Sequence, residues 1–98
     1  MAGRYHSERL AQRRVFTVTD TFTVTGRGLV LLPGLIPIGT ERFRAGDPIL
    51  LRSPNGRETR TSIGALELPH PNPKCEVLIM LKEIAKDDVP IGTEVWLL

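Results

Sequence analysis

The side chains that most often do chemistry are few in this sequence, and none forms a recognisable catalytic or metal-binding group. His6 and His70 are far apart, and neither has a second histidine at the spacing of a metal-ligand pair. Cys75 is the only cysteine, which rules out an intramolecular disulfide and a thiolate zinc cluster. Asp87 and Asp88 lie in a segment typical of a turn, whereas acid-base pairs usually require burial. The sequence therefore predicts no enzymatic activity, no cofactor and no metal site.

Arg27 is the charged residue whose sequence context is most suggestive of a contact. It lies between Gly26 and Gly28, which makes it accessible to a phosphate or to a partner's carboxylate. In the alternative interpretation the two glycines supply positive φ angles to a turn, and Arg27 pairs with Asp20. Asp20 falls on the apolar side of its predicted strand, where an unpaired carboxylate is costly. Both interpretations remain open.

Residues 1–14 form a basic N-terminal arm. Its four arginines outweigh Glu8 and give a local excess of +3: Arg4, Arg9, Arg13 and Arg14. The whole chain has a net charge of +2, so subtracting the arm leaves −1 for residues 15–98. The composition is typical of a solvated, partly ordered arm. The alternative is an arm that contacts phosphate or an acidic partner.

The composition favours one globular domain, over residues 15–98, because 41% of the 98 residues are hydrophobic and 24% are charged. No stretch approaches the ~20 consecutive apolar residues that a membrane helix needs. No apolar segment follows the N-terminus. We therefore expect a soluble, cytoplasmic protein that does not bind membranes.

Residues 16–25 are the element on which the arginine turn depends. The odd positions are all threonine, and the even positions are apolar except for Asp20. This alternation is typical of a half-buried strand and predicts that the even positions, including Phe22, face the core. The Gly26-Arg27-Gly28 turn then leads into an apolar strand over residues 29–32. The sequence predicts a β-hairpin at this point.

The rest of the chain consists of short extended runs separated by turns. Six or seven short strands without a long helix predict an all-β barrel or sandwich. At this length a closed barrel is favoured because it has no sheet edges. The pentapeptide Pro-Ile-Gly-Thr-Glu occurs at residues 37–41 and 90–94, which we interpret as one bend used twice. The further strands are predicted at residues 47–52, 58–68, 75–81 and 94–98.

Residues 29–38 contain more apolar side chains than one strand face interrupted by prolines can hold. In one interpretation they wrap beneath the barrel and close one end. In the other, Leu32, Leu35 and Ile36 form an exposed apolar patch that docks another protein or a second copy.

Four segments, in order, resemble the second domain of elongation factor Tu and related translational GTPases. Residues 20–30 (DTFTVTGRGLV) are similar to the Asp-x-Phe-x-x-x-Gly-Arg-Gly-x-Val pattern with which that domain begins. The likeness continues at residues 43–49, 60–64 and 88–92, so it covers residues 15–98. The chain lacks the Gly-x-x-x-x-Gly-Lys-Ser/Thr motif of a nucleotide-binding domain. The resemblance is therefore to the barrel domain alone.

The resemblance implies a small closed six-stranded Greek-key β-barrel. In elongation factor Tu this barrel helps to hold the aminoacylated 3′ end of tRNA in a pocket near the Gly-Arg-Gly hairpin. By resemblance, Val24, Gly26, Gly28 and Val30 occupy hairpin positions beside such a pocket. The family's pocket glutamate corresponds to Glu67, which comes one residue later here. A shift of one residue turns a side chain to the opposite face of a strand.

Two hypotheses for the function follow. In the first, the protein is a non-catalytic binding module that contacts RNA or the translation apparatus through Arg27 and the four arginines of the arm. In the second, it is a protein-interaction or oligomerisation module that uses residues 29–38 and binds no nucleic acid. Recognition by base stacking is disfavoured because aromatic residues are few, and most of them are predicted to be buried.

Overall fold

The computed structural model describes residues 13–98, and over these residues the protein is built from β-strands. They contain no α-helix, only a 3₁₀ turn at Lys86–Asp88. The predicted all-β class is confirmed. No helix in this part of the chain is long and apolar enough to cross a membrane. The strands are β1 (Arg13–Thr17), β2 (Asp20–Val24), β3 (Gly28–Leu35), β4 (Pro48–Arg52), β5 (Glu58–Ser62), β6 (Ala65–Glu67), β7 (Val77–Leu81) and β8 (Glu94–Leu97).

The strands form two antiparallel sheets of four strands each. Sheet A has the order β1-β8-β4-β5, and sheet B has the order β2-β3-β7-β6. The sequence pattern predicts six or seven strands and favours a closed barrel, and the resemblance implies six strands. The count of eight differs because two runs that read as single strands are each divided between the sheets. Residues 16–25 contribute to β1 and β2, and residues 58–68 contribute to β5 and β6.

The first passage between the sheets takes only two residues. The Val18 N–H donates to the carbonyl of Thr93, next to sheet A, with an N···O distance of 2.8 Å. The following N–H, of Thr19, donates to the carbonyl of Leu32 in sheet B, also over 2.8 Å. Consecutive amides are thus bonded toward different sheets, so the chain turns from one sheet to the other without a free loop.

This passage overturns the predicted orientation of residues 16–25. Val18 is buried as expected, but in β2 it is Thr21 that is buried, while Phe22 is 43% exposed. Alternation within a strand has a period of two, and the two-residue break changes which set of positions faces inward. Asp20 therefore lies at an exposed position on the outward side of the sheet, with Phe22, and does not face the core.

The second passage repeats the arrangement of the first. The Ile63 N–H donates to the carbonyl of Asp47, just before β4 of sheet A, over 2.9 Å, and the Gly64 N–H donates to the carbonyl of Met80 in sheet B over 2.8 Å. A side chain at Gly64 would lie 2.9 Å from that Met80 oxygen. Glycine therefore allows β7 to approach at this point.

The core lies between the inner faces of the two sheets. Sheet B contributes alternate residues of β3 and β7, and sheet A contributes alternate residues of β4 together with β8. The residues at the two passages close the remaining gaps. The fully buried apolar side chains of this cluster include Val18, Leu29, Leu31, Leu35, Ile49, Leu51, Ile63, Ile79, Leu81, Val89 and Val95.

The predicted hairpin joins β2 and β3. The Arg27 N–H donates to the carbonyl of Val24 over 2.9 Å, and Gly26 has a φ of 78°. Gly26 occupies the position at which a type II turn requires positive φ. Val24 pairs with Gly28, and the ladder continues through Phe22 and Val30. The glycine-arginine-glycine segment is therefore a turn between paired strands, as the sequence predicts.

The boundary of the basic arm differs from the prediction. Arg13 and Arg14, assigned to the arm, belong to β1 and pair with Leu97 and Trp96 of β8. Strand pairing therefore begins before residue 15. The rest of the arm, with Arg4 and Arg9, lies outside the described residues.

The two copies of the pentapeptide both bend the chain, but in different ways. In the first copy the Glu41 N–H donates to the carbonyl of Ile38, and in the second the Thr93 N–H donates to the carbonyl of Pro90, each over 3.1 Å. The hydrogen bond is thus shifted by one residue along the repeat. The interpretation as one bend used twice holds for the presence of a turn and fails for its geometry.

Candidate functional site

The outward side of sheet B is apolar, and we call it the outer apolar face. Phe22 pairs with Val30, and Val30 pairs with Met80. Opposite partners in a ladder share a face, and these alternate with the core residues of the same strands. Phe22 is 43% exposed, while Val30 and Met80 are 2% exposed although neither belongs to the core between the sheets. Three half-buried side chains extend the face: Val24, Leu32 and Leu78.

An ion pair spans this face near the hairpin. Arg27 Nη2 lies 2.5 Å from Glu67 Oε1. Glu67 is in β6, and β7 lies between β6 and β3, so the Arg27 side chain crosses the outer side of β7. Both groups are well exposed, with 58% of Arg27 and 37% of Glu67 accessible, and pairs of this kind contribute about 0–1 kcal/mol.

Two sequence-based expectations about this pair are wrong. Arg27 does not pair with Asp20, whose Oδ1 instead accepts a hydrogen bond from the Thr21 N–H over 2.8 Å. Glu67 is not turned away from the hairpin positions, because it pairs with Leu78, which has the same orientation as Met80 two residues later. Val24, Gly28, Val30 and Glu67 therefore share one face.

The arginines of β1 are each paired with a glutamate. Arg13 Nη2 lies 2.5 Å from Glu41 Oε1, and its Nε donates to Oε2 over 2.9 Å. Arg14 Nη1 lies 3.4 Å from Glu94 Oε2. Each of these glutamates ends one copy of the repeated pentapeptide. The arginines predicted to face phosphate thus have carboxylate partners wherever the structure describes them.

The pair at Glu41 also perturbs ionisation. The hydrogen bond from Arg13, supported by a bond from the Ile38 N–H, lowers the pKa of the Glu41 carboxyl below its ordinary value. The same hydrogen bond raises the pKa of the Arg13 guanidinium. Both shifts favour the charged pair, so the Arg13–Glu41 ion pair links the start of β1 to the β3–β4 loop.

The predicted apolar patch at residues 29–38 is divided. Leu35 is fully buried and belongs to the core, so it cannot contact a partner. Leu32 is half-buried on the outer apolar face, and Ile36 is exposed. The patch divides because Leu35 is the last residue of β3 and pairs there with Val77, whereas Ile36 lies beyond the end of the strand.

The outward side of sheet A holds residues that the sequence analysis did not assign to a site. Most aromatic side chains are predicted to be buried, whereas Trp96 is half-buried on this outward side. The Arg52 guanidinium carbon lies 5.1 Å from the centre of its ring. The signal in the sequence was the alternation in Glu94–Leu97: because Val95 is buried, its neighbours Glu94 and Trp96 face outward.

The residues first considered for catalysis remain dispersed. His70 and Cys75 are exposed in the loop before β7. Asp87 and Asp88 line an open groove of about 400 Å³ together with Ser53 and other loop residues. Among residues 13–98, no three His, Cys, Asp or Glu side chains gather into a metal-binding group. His6 lies outside the described residues.

Comparison of the chain with protein families, with curated proteins and with solved structures finds no match.

Proposed function

We propose that the protein is a non-catalytic binding module whose binding surface is the outer apolar face of sheet B. The observation that carries the proposal is the exposure of Phe22, an aromatic side chain, within a row of apolar residues. Exposed apolar patches of this kind often mark interaction sites. Aromatic side chains are also enriched among the residues that dominate binding energy.

The charges at the edge of this face favour a second copy of the chain as the occupant. Arg27 and Glu67 provide one positive and one negative group. In a two-fold arrangement the same patch meets itself, so Arg27 of one copy can meet Glu67 of the other without leaving a charge unpaired. Exchange of partners is inexpensive because the pair is exposed.

We further infer that the fold is related to the six-stranded Greek-key barrel. If β1–β2 and β5–β6 are each counted as one bent strand, the order of pairing runs from β8 through β4, β5–β6, β7 and β3 to β2–β1 and back to β8. The amides at the two passages, which bond toward both sheets, support this description. The resemblance to the second domain of elongation factor Tu is consistent with it.

Contact with RNA or with a component of the translation apparatus is the second candidate function. It is supported by the resemblance, and by the position of Glu67 on the same face as Val24, Gly28 and Val30. The short ion pairs of Arg13 and Arg27 count against these two residues as the primary phosphate contacts. A phosphate-driven complex weakens steeply with salt, whereas burial of the outer apolar face does not.

Sedimentation velocity of the full chain over a wide range of protein concentration, at low and high salt, tests the first proposal. We expect concentration-dependent dimers that persist at high salt. Phe22→Ser should weaken the dimer by about 30-fold or more, as expected for loss of a buried aromatic anchor. Ile91→Ser is the matched control, because Ile91 is 69% exposed on the turn before β8. A monomer under all conditions, or equal weakening by both substitutions, would contradict the proposal.

A further inference from the structure

A row of side chains with mixed character runs straight across the outward side of sheet A. Arg14 pairs with Trp96, Trp96 pairs with Leu50, and Leu50 pairs with Arg60. Neighbouring strands are ~4.8 Å apart, so the two arginines are separated by roughly 14 Å at the backbone. An aromatic and an aliphatic side chain lie between them. We call this row, together with Arg52, the tryptophan surface.

The centre of the tryptophan surface consists of two planar groups, the Arg52 guanidinium and the Trp96 indole, and each is held by contacts with its neighbours. The Arg52 guanidinium lies over the Trp96 ring, 5.1 Å from its centre. Its Nη2 and Nε contact Glu58 Oε2 over 2.7 and 2.8 Å. The indole N–H of Trp96 donates to Glu94 Oε1 over 3.0 Å. These contacts are made at the edges of the guanidinium and of the indole, whereas a stacking partner contacts the face of a planar group.

The charges at the two ends of the row are less completely compensated than those at its centre. Among residues 13–98 no carboxylate forms an ion pair with Arg60, which is exposed. Arg14 meets Glu94 only over 3.4 Å and is 55% exposed. A shallow depression of about 230 Å³ lies beside the row, between Arg60 and Trp96.

We propose that the tryptophan surface binds single-stranded nucleic acid. A base stacks on the Trp96–Arg52 platform, because aromatic rings and guanidinium planes both accept bases. The flanking phosphates are bound by Arg14 and Arg60. The mixed row of stacking and cationic groups fits this occupant better than an acidic peptide, which satisfies the arginines but offers no base to the platform. A duplex does not fit, because its bases are paired and stacked internally.

This site is on the opposite sheet from the outer apolar face and does not depend on self-association. It gives the nucleic-acid candidate a location on sheet A that shares only Arg14 with the arginines assigned by sequence. Trp96 also supplies a direct probe, since it is the only tryptophan of the chain. Stacking of a base on it should quench its fluorescence.

The test is a titration of the full chain with oligouridylate and with oligothymidylate at several salt concentrations. We expect quenching by both single strands, with weaker binding at higher salt, and none by a duplex of the same length. Tighter binding of oligouridylate than of oligothymidylate would indicate a further contact to the 2′-hydroxyl. Equal binding would indicate that the base and the phosphate are the groups recognised. No quenching at low salt, or equal quenching by the duplex, would overturn the proposal.

Substitutions then separate stacking from general attraction, with binding followed by the anisotropy of a labelled oligouridylate. Trp96→Leu keeps an apolar side chain and should weaken binding by about 5- to 150-fold, the effect of losing one stacked base. Arg60→Ala should lower the magnitude of the logarithmic salt slope by about 0.7. Arg44→Ala, an exposed arginine of the β3–β4 loop, is the charge-matched control and should change neither quantity.

Thermal unfolding of each variant distinguishes loss of the site from loss of the fold. If Trp96→Leu does not fold, Trp96→Phe replaces it, because phenylalanine keeps a smaller stacking face and should weaken binding less. A folded Trp96 variant that binds like the unsubstituted protein would refute the stacking role. Equal effects of Arg60→Ala and Arg44→Ala would refute the assignment of phosphate contact to this row.

Discussion

Gly28 provides the most demanding test of the hairpin geometry. A Cβ atom at this position would overlap the carbonyl oxygen of Leu81 and lie 3.1 Å from Met80 Cγ. The obstacle is partly backbone of the neighbouring strand β7, so it cannot be relieved by a side-chain rotation alone. Gly28 also has a φ of 155°, in a region occupied almost only by glycine.

The matched substitution is Gly26→Ala in the same turn. Gly26 also has positive φ, 78°, but a Cβ atom there would meet nothing within 4 Å. Alanine at Gly26 should therefore cost only the left-handed backbone strain, about 1 kcal/mol. Alanine at Gly28 adds a steric conflict, for which overpacking costs of about 1–3 kcal/mol are typical. We expect Gly28→Ala to lower the free energy of unfolding by about 3 kcal/mol in total.

Urea unfolding monitored by circular dichroism measures both variants on the same scale. In thermal unfolding, a difference of about 2 kcal/mol in the free energy of unfolding should separate the midpoints of the two variants by roughly 8–16 °C, given the size of the domain. Equal slopes against urea would show that both variants unfold from similarly compact states. If Gly28→Ala is as mild as Gly26→Ala, the close approach of β3 and β7 at this point is refuted.

Two further predictions concern acid stability and the division of the apolar segment. Because Arg13 lowers the pKa of Glu41 in the folded protein, that carboxylate contributes stability above its ordinary pKa of 4.5 and loses the contribution as the pH falls through the lowered value. Glu41→Gln should therefore flatten the pH dependence of the urea midpoint below about pH 4.5, and an unchanged slope would contradict this. Leu35→Ala should cost about 2–5 kcal/mol of stability, whereas Ile36→Ala should stay within about 0.5 kcal/mol. Equal midpoints for the two alanine variants would refute the burial of Leu35.

The sequence correctly predicts those parts of the fold that depend on residues close together in the chain. The hairpin at Gly26-Arg27-Gly28 is specified by glycines at particular turn positions and by alternation on both sides. The passage at Val18 and Thr19 leaves no comparable signal, because β-branched residues continue through it. Only tertiary pairing decides where the run divides. The predicted orientation of Phe22 is therefore wrong, although the prediction of extended structure at this residue is confirmed.

The candidate sites show the same limit. The accessibility of Arg27 follows from its glycine neighbours, but its partner Glu67 lies 40 residues away, and no local rule connects them. Trp96 could be read as inward or outward from its strand alone. Its orientation is decided by Val95, whose side of β8 meets the buried side of β4. The pairing of β8 in sheet A therefore turns Trp96 outward, where it is half-buried.

The place of β8 in sheet A has a consequence for the order in which the protein can assemble. Every strand of sheet B has been synthesised once residue 81 has been added. Sheet A forms later, because two of its three ladders involve β8, which is supplied by residues 94–97. Until then β1 and β4 have no neighbour between them. Of the described strands, the one synthesised last thus joins the one synthesised first to β4.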